Sequence, residues 1–354
     1  MALLVALLLP LLLGMAALAV DLTNLSTAKA ELQAAADATA LAGAGCLRRR
    51  AECGNLSRAT PDWIGADLTV SGFISQNKTQ GDPLQRASVT SGYWNVSGTP
   101  SGLRSTTISP GALDLPAVQV TVSRRLDENG GLIPSILAGF LGFPASALSA
   151  TATAALSSPG LAGVGSVFPL AIAQCMYDRY WDTTTGQPKL ATAITVPGFD
   201  LPQTVGEAYR FKITSRYKAG GCESGQWSSL TLNSNDAATL RTLMVQGNTS
   251  SIPVGGSVWI QTGSMTTLYG ELNACSAAGN RKCEYVMLPV VANISASALA
   301  TVLGFACVRL LSATGGSDKY AVAQMSADTQ KCRALNSGGV GPNFGIILPP
   351  RLVS

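Results

Sequence analysis

The first 45 residues read MALLVALLLPLLLGMAALAV (1–20), followed without a break by DLTNLSTAKAELQAAADATALAGAG (21–45). The first stretch has no charged side chain, and Asp21 is the first ionisable side chain. Twenty apolar residues at ~1.5 Å per residue make a helix of ~30 Å, the thickness of a bilayer's hydrocarbon core. A secretory signal has a shorter apolar core behind basic residues, and no basic residue precedes this run. The sequence therefore predicts a membrane-crossing helix at the N-terminus.

The stretch from Asp21 onward continues the same helix with an amphipathic pattern. Apolar or small residues recur at helical spacing, and Gly43 and Gly45 supply a stop. We predict one helix over 1–45, about 60 Å long and kinked at Pro10. The stripe consists of Leu22, Leu25, Ala28, Leu32, Ala36, Ala40 and Gly43. The residues on which assembly through this helix is expected to depend are Met1, Val5, Pro10, Leu12, Gly14, Asp21, Leu32 and Asp37.

Two elements of this helix carry a family resemblance. They are the pair Val20-Asp21 at the end of the apolar run and the stretch LQAAADATALAGA at 32–44. Both resemble the N-terminal signature of the TadE/TadG-like proteins of tight-adherence (Flp) pili. GYWN at 92–95 and the strand-like segments at 118–122 and 149–154 extend the resemblance to about residue 160. It implies a pilin-like helix, partners among the pilus-assembly machinery and copies of the same chain, and an inner-membrane location before assembly.

Composition excludes several classes of function. The net charge of +4 is too small to indicate a nucleic-acid partner, and the chain has no histidine. Ser-His-Asp and Cys-His catalysis and histidine-ligated metal sites are thereby excluded. The acids show no recognisable catalytic pairing; they include Asp127, Glu128, Asp178, Asp182, Asp236 and Glu284. We expect no enzymatic activity, no cofactor and no metal.

The eight cysteines indicate disulfides, because an even number behind a membrane-crossing segment is typical of an oxidising compartment. Short spacing favours the pairs Cys46–Cys53 and Cys275–Cys283. Pairing among the other four stays open; these are Cys175, Cys222, Cys307 and Cys332.

The rest of the chain predicts an α+β fold with two head domains. Residues 46–157 show the order helix, strand, strand, helix, strand, which indicates a small α+β domain. The first of these helices is expected over 60–77 with Thr60 as its cap and Pro61 at its first position, and the second over 133–142. The Gly/Ser/Pro-rich residues 158–166 form a linker.

Residues 167–354 alternate in many short segments and predict a β-rich sandwich or barrel with one helix over 235–248. The C-terminal stretch GPNFGIILPPRLVS suits an edge strand or a neighbour's groove.

These features favour a structural subunit of a tight-adherence-like pilus or related surface filament, extracellular once assembled. A membrane-anchored accessory protein of pilus assembly is one alternative, and an anchored adhesin whose head binds glycan or host protein is another. A membrane-inserting segment normally follows basic residues. We therefore expect a longer precursor that is processed before Met1.

Overall fold

The computed structural model describes residues 2–48, 53, 61–142, 144–197, 201–214, 225–261, 265–295, 297–316, 319–328, 331, 332, 334 and 336–354. For residues 2–7, 9–13, 140 and 141 it describes the backbone alone. The α-helices of these residues are α1 Ala2–Cys46, α2 Trp63–Phe73, α3 Gln174–Tyr180, α4 Ala237–Gln246 and α5 Leu268–Cys275. Short 3-10 helices lie at Ile74–Gln76 and Ala138–Leu141.

The first ten strands are β1 Lys78–Thr79, β2 Asp82–Pro83, β3 Ser88–Asn95, β4 Leu103–Arg104, β5 Asp114–Arg124, β6 Ile133–Pro134, β7 Ala145–Ser146, β8 Leu148–Ala155, β9 Leu161–Ala162 and β10 Leu170–Ala173. The others are β11 Trp181–Asp182, β12 Gln187–Pro188, β13 Arg210–Thr214, β14 Gly225–Leu230, β15 Ile252–Pro253, β16 Ser257–Ile260, β17 Tyr285–Val291, β18 Ala298–Thr314, β19 Tyr320–Met325 and β20 Arg351–Leu352. The structure therefore confirms a mixed α+β fold with a β-rich second part.

Helix α1 is one continuous element of 45 residues. Its buried stripe begins later than the sequence pattern indicates, because Leu22 is exposed and Leu25 is half-buried. From Ala28 onward the stripe is fully buried against the first head domain. Among the described residues, no helix combines the length and the hydropathy needed to cross a bilayer.

The first head domain is a five-stranded sheet, in the order β20-β8-β5-β3-β4, with α1 and α2 on one face. Valines of β5 lie opposite alanines of β8, so that large and small side chains alternate beneath the helix. Small residues of α1, Ala36 and Ala40, complete this layer and let the helix approach the sheet closely. The pairs are Val118↔Ala154, Val120↔Ala152 and Val122↔Ala150.

Helix α2 begins at Trp63 rather than at Pro61. Its cap is Asp62, whose carboxylate accepts a hydrogen bond from the backbone N–H of Gly65 at 2.9 Å. The predicted cap, Thr60, lies outside the described residues. An aspartate two residues further along satisfies the helix terminus equally well, so Pro61 precedes the helix.

The segment predicted as a helix over 133–142 is instead a short strand, β6, followed by the 3-10 helix Ala138–Leu141. That prediction was wrong. The apolar run is long enough for a helix, but β6 pairs with β7 and the following N–H groups bind Asp21. These non-local bonds replace the helical ones.

The second head domain contains a seven-stranded sheet in the order β13-β19-β18-β16-β14-β10-β17. The 17-residue strand β18 pairs with β16 through its first part and with β17 through its middle. Strands β18, β16, β14, β10 and β17 therefore close into a five-stranded ring, which agrees with the barrel alternative. Both faces of its strands are buried: Trp227 belongs to the hydrophobic cluster on one face and Phe305 to the cluster on the other.

Helix α4 matches the helix predicted over 235–248, with Asp236 as its cap. It is not the one helix of the second part, because α3 and α5 are present as well. Both are short, at 7 and 8 residues, which is too short for a clear helical period in the sequence.

The C-terminal segment crosses back to the first head domain. Strand β20 pairs antiparallel with β8, with Arg351 opposite Ala155 and Leu352 opposite Ala154. The expected edge strand is therefore present, and it belongs to the first sheet.

Candidate assembly surface

Helix α1 lies in two environments along its length. From Ala28 to Ala44 its inner face packs on β5, β8 and α2, and Leu32 is completely buried. Before Asp21 the described side chains are almost all exposed. The large apolar ones are Leu8, Met15, Leu18 and Val20, whose exposed fractions run from 43% to 63%. The helix therefore leaves the head with an uncovered apolar surface.

Asp21 marks the point where the helix leaves the head. Its carboxylate is 4% exposed and accepts hydrogen bonds from the backbone N–H groups of Ile136 at 2.6 Å, Leu137 at 3.2 Å and Ala138. Burial opposes ionisation, but the three N–H donors outweigh it and hold the pKa of Asp21 below its usual value. The carboxylate therefore ties α1 to the segment after β6 in its charged form.

Polar side chains of α1 strengthen this attachment on the neighbouring faces. The carboxylate of Glu31 accepts from the backbone N–H of Gln80 at 2.6 Å. The side-chain N–H of Asn24 donates to the carbonyl of Pro134 at 3.1 Å, and its oxygen accepts from Gln80 at 2.7 Å. These bonds fix the height and the rotation of the helix as it leaves the domain.

The same helix covers the outer edge of β8. The ammonium of Lys29 donates to the carbonyl of Ser149, and Gln33 donates to the carbonyl of Thr151 at 3.2 Å. An uncovered edge strand invites pairing with another chain. Because α1 and β20 occupy this edge, it is covered within the chain itself.

The predicted assembly residues lie in both parts of α1. Leu32 is in the core, and Asp37 is half-buried and accepts from Gln33 at 2.8 Å. Gly14 is exposed, and a Cβ there would meet nothing within 4 Å. Met1 lies outside the described residues, as do the side chains of Val5, Pro10 and Leu12, so the kink at Pro10 stays a prediction.

The disulfides predicted from short spacing, Cys46–Cys53 and Cys275–Cys283, are present with Cα–Cα distances of 5.6 and 5.1 Å. A third bond joins Cys307 to Cys332, whose Cα atoms are 5.7 Å apart. Cys175 is also disulfide-bonded, and Cys222 lies outside the described residues. The Cys46–Cys53 bond closes the chain just after α1 and so fixes the end of the helix.

Acidic side chains of the described residues have structural partners. Asp236 caps α4, and Glu284 bridges Arg281 and Arg309. Glu128 forms an ion pair with Arg125, and Asp182 accepts a hydrogen bond from the backbone N–H of Thr184 in its own turn. No group of three or more potential metal ligands occurs among the residues that the structure describes.

A cleft of about 190 Å³ lies between the two head domains, and Tyr93, Asp114 and Trp181 are among its walls. Both oxygens of Asp114 are occupied. One accepts from Arg104 at 2.7 Å and Asn95 at 2.8 Å, and the other accepts from the N–H of Gly111 at 2.9 Å. This carboxylate therefore holds loops together.

The residues that sequence reasoning missed are the partners of Asp21. The segment 136–138 lies more than a hundred positions away in the chain, and the signal available was its charge-free, apolar composition. That composition indicated a buried helix. Nothing in the local sequence shows that the N–H groups of this segment bind an aspartate of α1 instead.

Residues 16–154 match the family model described as "Putative Tad-like Flp pilus-assembly". The match covers the described exposed turns of α1 from Ala16 on, its packed half and almost the whole first sheet. No curated protein and no solved structure was found to match the chain significantly.

The resemblance inferred from the N-terminal helix is thereby confirmed: residues 16–154 are similar to a family of Tad-like pilus-assembly proteins. Such a family works in pilus assembly at the cell envelope, and it is not an enzyme family.

Proposed function

We propose that this protein is a structural subunit of a tight-adherence-like pilus or related surface filament. The observation that carries the proposal is the division of α1 at Asp21. One half is built into the head domain, and the other presents apolar side chains with no partner among the described residues. A subunit of a helical filament needs this arrangement, because its helix has to be held firmly at one end and has to contact neighbouring helices at the other.

The free energy of hydration makes water an unfavourable environment for this half. Fully burying a large aliphatic side chain is worth ~1.5–3 kcal/mol, and Leu8, Met15, Leu18 and Val20 are about half exposed, so together they disfavour exposure by roughly 3–6 kcal/mol. A bilayer and a bundle of like helices remove this cost about equally, because lipid tails are about as apolar as leucine. The helix is therefore suited to the inner membrane before assembly and to a filament core afterwards.

Small residues favour the bundle. Gly14, Ala16, Ala17 and Ala19 alternate with the larger apolar residues, and a Cβ on Gly14 would contact nothing in the head. Small residues allow helices to approach closely without a hydrophobic driving force. The expected partners are therefore further copies of this chain, together with the pilus-assembly machinery that moves them out of the membrane.

An accessory protein that stays in the membrane and primes assembly is the second candidate. The family match favours it equally, because its description names pilus assembly and not the filament itself. The two candidates differ in where the chain is found after assembly.

Electron microscopy of sheared surface material tests the proposal, with the subunit identified by mass spectrometry of the purified filaments. We expect filaments that contain this chain as a major component and that disappear when its gene is deleted. Filaments from which this chain is missing, with all of it retained in the membrane fraction, would show that it is the accessory protein.

A further inference from the structure

Residues 132–144, LIPSILAGFLGFP, form a segment without a single charged residue. Two of its large apolar side chains are exposed on the head domain, since Ile136 is 57% exposed and Leu132 is 36% exposed, whereas Ile133 is buried. Residues 126–131 before this segment include Asp127 and Glu128, so they are not part of this apolar surface. We call residues 132–142 the apolar collar.

The collar lies at the end of the first head domain from which α1 emerges. The last pair between β5 and β8 is Arg124 opposite Leu148, so the connection between them leaves the sheet at this end. The carboxylate of Asp21 binds the N–H groups of Ile136 to Ala138, and Asn24 binds the carbonyl of Pro134. The exposed apolar side chains of the collar therefore stand beside the last residues of the apolar run.

The backbone of the collar satisfies many of its own hydrogen bonds. Strand β6 pairs with β7, the N–H of Ser135 donates to the carbonyl of Pro144 at 2.8 Å, and the N–H of Gly142 donates to the carbonyl of Gly139 at 3.2 Å. Asp21 accepts from the next N–H groups. Since unsatisfied backbone groups are costly away from water, this pairing prepares the segment for a dry environment.

We propose that the apolar collar is a second membrane-contact element, which rests in the interfacial layer of the lipid bilayer beside the N-terminal helix. The proposal rests on the proposed function, in which the helix occupies the membrane before assembly. A lipid surface fits better than another protein because of the position of the collar along the axis of α1. The collar is attached to Asp21, where the apolar run of about 30 Å ends, so inserting that run brings the collar to the bilayer surface.

The charge of Asp21 is compatible with this position. A bare carboxylate near the hydrocarbon boundary is costly, but this one already accepts three backbone N–H groups. The collar therefore shields the first charge of the chain at the height where the membrane ends, and its apolar side chains occupy the layer in which interfacial segments bury.

The test uses the full chain reconstituted at low density in vesicles of phosphatidylcholine and phosphatidylglycerol. Three variants, each with one added cysteine and with the native disulfides kept, are compared: Ile136→Cys in the collar, Leu12→Cys in the apolar run, and Ile194→Cys. Ile194 is the matched control, because it is a 63% exposed isoleucine in the second head domain. Each is labelled with bimane, and quenching by nitroxide-bearing lipids is measured, with the wild-type chain as the background for labelling.

We expect several-fold stronger quenching at position 136 than at position 194, from nitroxides placed near the headgroups. Equal quenching at 136 and 194, with strong quenching at 12, would overturn the collar and leave the inserted helix standing. Quenching at none of the three positions would overturn the membrane stage of the proposed function together with the collar. A bimane emission at position 136 that shifts to the blue only when the protein density in the vesicles rises, without quenching by the lipids, would show a contact between copies. That result would also overturn the proposal.

Discussion

Asp21 lies within a helix, but its carboxylate accepts hydrogen bonds from backbone N–H groups 115 to 117 positions away in the chain. It holds the N–H groups of residues 136–138 at the place where α1 leaves the head. At the residue scale one ionised side chain therefore contributes to the attachment of the apolar helix, beside the contacts of Asn24 and Glu31.

Replacing Asp21 by Asn leaves one acceptor oxygen and no charge. We expect the backbone amides of Ile136, Leu137 and Ala138 to exchange with solvent roughly tenfold faster or more, because hydrogen bonds to a charged acceptor are the stronger ones. Hydrogen exchange measured by mass spectrometry at the peptide level checks this.

The same account gives a pH dependence. The folded pKa of Asp21 is held low, so its contribution is present above the pKa of the unfolded chain and is lost as the pH falls through the folded value. Protection of 136–138 should therefore weaken in acid in the wild type and stay constant in Asp21→Asn. Unchanged exchange in the variant at neutral pH would contradict the role of the carboxylate.

Glu284 tests whether a charged side chain also stabilises the second head domain. Its side chain is 6% exposed and contacts Arg281 at 2.6 Å and Arg309 at 2.8 Å. We expect Glu284→Gln to lower the free energy of unfolding by ~1.5–3 kcal/mol, the usual range for hydrogen bonds to charged groups. Denaturant unfolding of the full chain measures this.

The matched control is Glu271→Gln. Glu271 pairs with Arg241 at 2.6 Å, but both side chains are more than 40% exposed, and an exposed pair is worth about 0–1 kcal/mol. The two arginines hold the pKa of Glu284 below its usual value, so the difference between the variants should shrink as the pH falls through that value. Equal losses from both variants would contradict the account.

At the scale of the elements, α1 and α2 pack closely on each other. A Cβ on Gly43 would lie 2.5 Å from a methyl carbon of Val70, which is fully buried. Glycine is normally unfavourable within a helix by ~1 kcal/mol. Here its lack of a side chain allows the second helix to pack.

We expect Gly43→Ala to destabilise the protein by about 1–3 kcal/mol in spite of its better helix propensity, because overpacking a tight core costs that much. The double variant with Val70→Ala should be less destabilised than the sum of the two changes. Gly14→Ala is the control, since a Cβ there meets nothing within 4 Å. Thermal and denaturant unfolding compare them, and a stabilised Gly43→Ala would show that the two helices are less closely packed.

The elements that sequence could predict are those fixed by local patterns. The strand-like segments at 118–122 and 149–154 predicted two strands of the first sheet, and the apolar and amphipathic pattern of 1–45 predicted α1. The short sequence separations of Cys46 from Cys53 and of Cys275 from Cys283 predicted two disulfides, because cysteines so close in the chain are easily brought into bonding distance. Non-local partners escaped prediction, among them the Cys307–Cys332 bond and the strand over 133–134.

At the scale of the whole molecule, the C-terminal strand joins the end of the chain to its beginning. Strand β20 lies on β8, whose other contacts include α1. The second head domain is therefore connected to the first at both of its ends. A force on the N-terminal helix is thus transmitted to a head that is closed by pairing and by disulfides.

The central claim is that one helix occupies two environments, and a lysine in place of Leu12 tests it most directly. Leu12 lies in the middle of the apolar run, where a lysine costs ~2.5–3.5 kcal/mol on insertion into a membrane. The remaining apolar residues offset that cost, and the long stem lets the ammonium reach the interface. In a filament core the charge repeats in every subunit and has no water to reach, which costs several kcal/mol per copy.

Negative-stain electron microscopy of sheared material should therefore show no filaments from Leu12→Lys, although the chain is found in the membrane with its disulfides formed. Leu12→Ile, which keeps the apolar surface, should give filaments at the wild-type level. Normal filaments from Leu12→Lys would contradict the account, because the helix would then not lie in the core of the polymer.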